Sequence, residues 1–130
     1  MKKTTFLNNV VMLSFLCAGL ASADVTEEDF KAKSTRNLIN LCTASPQDIH
    51  YGDAIHFCQG YLVGAFHYHS AEVSNDPSKL LVCFPDPKPS RNEAIEKFIA
   101  WALTHPEYMA EIPVDTEFRF LAEQYPCNKI

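Results

Sequence analysis

Between residues 24 and 130, apolar residues recur mostly at three- and four-residue steps, the spacing of helices with one face turned inward. Four helical segments follow from it. The first opens at Thr26-Glu27-Glu28-Asp29, a hydroxyl followed by acids that suit the positive end of a helix. Phe30, Leu38, Leu41 and Cys42 then share a face, and Pro46 closes the segment. The second, about 47–72, is the most apolar. Ile55, Cys58, Leu62, Phe66 and His69 form one stripe, with Phe57, Tyr61, Ala65 and Tyr68 beside it. So wide an apolar surface predicts a central helix with more than one neighbour. Gly60 and Gly64 lie one turn apart in its middle and are expected to let another helix approach closely.

Residues 73–89 break the pattern and predict a long loop. Leu80 to Phe84 reads as a short extended stretch. Pro85, Pro87 and Pro89 alternate and predict a stiff, polyproline-like arm. Ser90-Arg91-Asn92-Glu93 has the form of a capping box and opens a third helix, with Ile95, Phe98, Ile99 and Ala102 facing in. Pro106 to Ala110 reads as one short turn. Pro113 suits the first position of a last helix, whose inward set is Val114, Phe118, Leu121 and Tyr125. The fold class is therefore all-α, a small bundle of four to five helices.

The N-terminus changes the composition. Lys2 and Lys3, a short apolar run from Val10 to Leu20, and Ala21-Ser22-Ala23 form a secretory signal peptide, residues 1–23. The apolar run falls short of the roughly 20 residues a membrane span needs. Bulky Phe15 and Leu16 before Cys17 do not suit a lipoprotein signal. With the signal removed, the expected mature domain is 24–130. The net charge of the full 130-residue chain is −5, and losing Lys2 and Lys3 makes it −7. Neither figure suits a general nucleic-acid binder. The five cysteines become four, Cys42, Cys58, Cys83 and Cys127, an even set for an oxidising compartment such as the periplasm. No C-x-x-C pair points to zinc. If the first two helices form a hairpin, Cys42 sits near its tip and Cys58 on the core-facing stripe. Continuing up and down brings Cys83 and Cys127 to one end. The expected disulfides are Cys42–Cys58 and Cys83–Cys127.

No catalytic constellation is visible, and neither a metal nor another cofactor is expected. The chain contains no H-E-x-x-H, no G-x-S-x-G and no phosphate loop. His67 and His69 point in nearly opposite directions if their segment is helical. Asp115 and Glu117 sit at a helix start, where the dipole accounts for them. Arg119, between Phe118 and Phe120, faces outward. What remains is a small acidic domain that acts by binding, with a charge suited to a cationic partner.

The segment Ser34 to Cys42, and then Ala54-x-x-Phe57-Cys58-Gln59-Gly60-Tyr61-Leu62-Val63-Gly64-Ala65, resembles the Rap/Tai family. Cys83-Phe84-Pro85, the helix from Ser90, and Phe118-x-Phe120-Leu121 running to Pro126-Cys127 also fit. These are periplasmic immunity proteins against amidase effectors of the type VI secretion system. The resemblance implies a disulfide-bonded helical bundle, often a homodimer, that binds a peptidoglycan amidase and blocks its cleft. It does not identify the contact residues. The loop from Asn75 to Pro89 suggests them, because a stiff arm enters a cleft at low entropic cost. The candidates are Asp76, Lys79, Phe84, Asp86 and Lys88. An alternative of another class is an acid-activated periplasmic chaperone resembling HdeA, in which acid would neutralise carboxylates and charge histidines.

Overall fold

The structure is a computed structural model that describes residues 24–127; the expected signal peptide lies outside the described residues. Helix α1 spans Thr35–Cys42, α2 Tyr51–Asn75, α3 Arg91–Leu103 and α4 Pro113–Gln124. Single 3-10 turns occupy Asp29–Lys31, Pro77–Lys79 and Pro106–Tyr108. Leu38, Leu41, Ala54, Cys58, Leu62, Phe98, Ala102, Phe120 and Leu121 form the centre of the core. The expected all-α bundle is therefore observed, with both expected disulfides, Cys42–Cys58 and Cys83–Cys127.

The first helix starts later than its acids suggest. Thr26 to Asp29 forms a turn, and Ala32 then takes a left-handed conformation at φ 44°, which ends the 3-10 turn. Asp29 does not serve a helix dipole. It is 3% exposed and accepts hydrogen bonds from the Thr26 amide and hydroxyl and from the side-chain amides of Asn37 and Asn40. Burial alone would raise its pKa. The donors outweigh that and hold the carboxyl below its usual range. The stabilisation from this knot is present above the ordinary carboxylate pKa and is lost as the pH falls through the lowered one.

A new helix begins at Ser34, where the Asn37 amide donates to Ser34 Oγ and the Ser34 amide donates to Asn37 Oδ1. Amides in its first turn find partners across the chain: Thr35 N–H donates to Glu111 O at 2.7 Å and Arg36 N–H to Met109 O at 3.0 Å. Buried hydroxyls of Thr35 and Thr116 meet at 2.7 Å, fixing α1 to α4. Ser34→Ala removes the cap and should cost about 1 kcal/mol, read as a lower urea midpoint at unchanged slope.

The capping box expected at Ser90 is half present. Ser90 Oγ accepts from the Glu93 amide, while the Glu93 carboxylate pairs with Lys97. The C-terminal half is ordered by rings. Phe98 and Phe120 lie 5.8 Å apart between α3 and α4. Trp101, His105 and Tyr108 stack along the surface, and the Arg119 guanidinium sits 4.4 Å over the Tyr108 ring.

Helix α2 is central by contact but not by burial. It touches α1, α3, α4 and the 77–79 turn. Yet among its 25 residues Ala54, Cys58 and Leu62 alone are buried, a single narrow stripe. At about 1.5 Å per residue α2 is roughly 37 Å long against roughly 12 Å for α1. The shorter helix cannot cover it, so much of the second apolar stripe stays open.

Candidate functional site: an open helix face and an acid-floored cavity

Two surfaces flank α2. The first is an open groove. Its floor is Gly60, Gly64 and Ala65, its α2 walls are Tyr61 and Tyr68, and its far wall is Val114 and Phe118 of α4. Leu81 and the Glu72–Lys79 ion pair close one end. The groove continues past Leu81 and Phe118 to Ile112 and Arg119. Tyr68 is 69% exposed, Ile112 57% and Leu81 51%. His69 packs against Phe118 at 4.9 Å on this side. His67 lines the opposite surface, so the two histidines face apart.

Among the described residues, no neighbouring helix approaches these glycines. A Cβ built on Gly60 or Gly64 meets nothing within 4 Å. They lower the floor of a groove that no described element fills. Gly60→Ala and Gly64→Ala should each therefore raise stability by about 0.5–1 kcal/mol, seen as a higher Tm, because helix propensity improves without a clash.

The loop is stapled rather than free. Val82 is buried and pairs with Pro126, Cys83 N–H donates to Tyr125 O at 2.9 Å, and Cys83 is bonded to Cys127. Phe84 turns inward, 5.4 Å from Phe66 and 4.8 Å from Tyr125. Asp76 accepts from the Ser78 amide and caps the 3-10 turn. Lys79 is held by Glu72, which raises its pKa. Asp86 and Lys88 are exposed. The large exposed apolar side chains of this region are Leu80 and Leu81, neither of them among the expected contact residues.

The second surface is a cavity of about 280 Å³ between α2, α3, α4 and the loop. Leu62, Phe66, Phe84, Ile95, Phe98 and Phe120 form its apolar walls. Glu117 also lines it. This corrects the reading of Glu117 as a helix-start acid: it lies on the inward face of α4 with Pro113, Thr116, Phe120 and Leu121. Glu117 is 4% exposed, and its Oε2 has no hydrogen-bond partner. Burial pushes its pKa up to about 8, so the neutral acid predominates at pH 7. The contrast with Asp29 is chemical. One buried acid is met by four donors, and the other faces hydrocarbon.

The sequence contained a signal for Glu117. It follows Pro113 by four residues and precedes Leu121 by four, which places it in the inward stripe. Among the described residues no helix is long and apolar enough to cross a membrane. No curated protein and no solved structure matches the chain. The family model of Rap1a immunity proteins matches residues 34–127, from the Ser34 cap through both disulfides to Cys127. That span includes helices α1 to α4, and the chain belongs to the Rap1a immunity protein family.

Proposed function

We propose that this protein is a periplasmic immunity protein that binds and neutralises a peptidoglycan amidase delivered by the type VI secretion system. The observation that carries the reading is the family match across both disulfide-closed halves of the domain. The compartment is supported by the two disulfides, which persist in oxidising environments. The protein acts by occupying its partner, not by transforming it.

The contact surface we assign is the groove over Gly60 and Gly64 with the adjoining loop. Exposed Tyr68, Leu81 and Ile112 supply apolar anchors, and Asp76, Lys79 and Asp86 supply a charged rim, while Lys88 lines the cavity on the other side of α2. Aromatic side chains beside small residues suit a partner that inserts a protruding element. Phe84 contributes by holding the loop against Phe66. Two copies joined through the same groove would give the homodimer the family resemblance implies. A toxin and a second copy would then compete for one face.

The test is to mix the protein, signal removed, with the amidase encoded beside it and to follow peptidoglycan hydrolysis. Expected are a stable 1:1 or 2:2 complex at neutral pH and loss of hydrolysis. Leu81→Asp with Tyr68→Ala should weaken the complex at least tenfold at unchanged Tm. A folded protein that leaves the amidase fully active would overturn the reading.

A further inference from the structure

We infer that the cavity beside α3 is a ligand site for a small aliphatic amino-carboxylate, with its ammonium on Glu117 and its carboxylate at the mouth beside Lys88 and Arg91. The inference is independent of the toxin reading, because the cavity and the open groove lie on different sides of α2.

The polar groups of the cavity are sorted by depth. Its single acid, Glu117, is buried with an unpartnered oxygen, and apolar walls surround it. The exposed side chains that line it are His67 from α2, Lys88 and Ser90 from the loop, and Arg91 from α3. None of these is acidic. Lys88, Ser90 and Arg91 stand at the start of the 13-residue helix α3, whose positive end adds to the two cations. A bound anion at the mouth would answer these groups, and a bound cation or hydrogen-bond donor at depth would answer Glu117. The hydrocarbon between them calls for an aliphatic body. The volume is near the lower end for small-molecule sites and suits a ligand of about eight to ten heavy atoms.

Simple fragments or plain hydrophobic filling account for less. An alkane or alcohol would leave the mouth cations idle. A fatty carboxylate would bury its tail against Glu117 without pairing it. An alkylamine would satisfy Glu117 but meet Lys88 and Arg91 on the way in. An unpartnered buried acid is also a standing cost to the fold, which a ligand supplying the missing partner removes. Other titratable groups facing Glu117 are Tyr61 across from α2, whose pKa is raised by burial and then by the Glu117 charge, and His67 at the rim.

The experiment is calorimetric titration at pH 7.5 with 6-aminohexanoate, hexanoate, hexylamine and hexanol. The amino acid is expected to bind at least tenfold more tightly than any of the other three. Glu117→Gln, which keeps shape, should reduce it to the level of hexanoate, and Lys88→Ala with Arg91→Ala to the level of hexylamine. Carbon-13 labelling of Glu117 should show its pKa falling by more than one unit on saturation. Hexanol binding as well as the amino acid, hexanoate binding as well with no effect of Glu117→Gln, or no binding by any of the four would each overturn the assignment.

Discussion

Glu117→Met is expected to stabilise the folded protein by about 3 kcal/mol at pH 8, with the gain shrinking steadily toward pH 5. The sign follows from linkage. In the unfolded chain the Glu117 carboxyl titrates at its ordinary value of 4.5, and in the fold burial raises it to about 8. Between those values the folded state keeps a proton that the unfolded state has released. Raising the pH therefore favours unfolding, by at most about 1.4 kcal/mol per pH unit for one group. Methionine has similar length, no charge and no need of a partner, and it suits the apolar walls of Leu62, Phe98 and Phe120. Asp29 titrates in the opposite sense and lower down, so it leaves this window undisturbed. Urea unfolding of both proteins at pH 5, 6.5 and 8 decides the matter. The wild-type midpoint should fall across the series more steeply than that of the variant. Parallel slopes would mean that Glu117 keeps an ordinary pKa in the fold.

Removing the Cys83–Cys127 bridge with paired alanines is expected to cost about 4 kcal/mol, and removing Cys42–Cys58 about 3, on the chain-entropy account. The difference comes from the sequence separations, 44 against 16. A single domain of this size has only about 5–15 kcal/mol in hand, so the first change should bring unfolding close to physiological temperature. Local effects point the same way. Cys83 lies in the stretch that carries Val82 into the core and Phe84 onto Phe66 and Tyr125. Without the bridge, the Cys83 amide bond to Tyr125 O and the Val82–Pro126 pairing must hold the loop unaided. Thermal unfolding followed by circular dichroism gives the two losses directly. A smaller loss at Cys83–Cys127 than at Cys42–Cys58 would refute the ordering.

The legible parts of this fold were those written in local pattern. Periodicity placed α2, α3 and α4 along the chain, and Pro113 marked the start of α4 at its true first residue. The inward face of α4 was misplaced: Leu121 and Tyr125 are buried as expected, whereas Val114 and Phe118 line the open groove and Thr116, Glu117 and Phe120 are buried instead. A hairpin of the first two helices, continued up and down, was enough to pair the cysteines. Two failures share a cause: an acidic side chain was assigned to the nearest helix end when its surroundings are set by residues outside that turn. Asp29 read as a helix-start acid, but Asn37 and Asn40 claim it. Glu117 read the same way, though its spacing from Pro113 and Leu121 placed it inside. Gly60 and Gly64 signalled a close approach, and local pattern could not say that no element among the described residues makes it. Tyr68 and Leu81 became candidates once the mismatch in length between α1 and α2 was visible, because that mismatch leaves the groove uncovered.

The two disulfides follow one another along the chain without nesting or interleaving. Covalently, the domain is two closed rings joined by one strand. The first ring holds the α1–α2 corner, and the second holds α3, the 106–108 turn and α4. A protease that cuts inside either ring leaves the molecule in one piece until a reductant arrives. A cut between residues 59 and 82 parts it into two fragments, each with its own bridge. That joining strand is the outer length of α2 and the 77–79 turn, the same stretch that bears Gly60, Gly64, Tyr68 and Leu81. A partner seated there would shield the covalently weakest link of the domain.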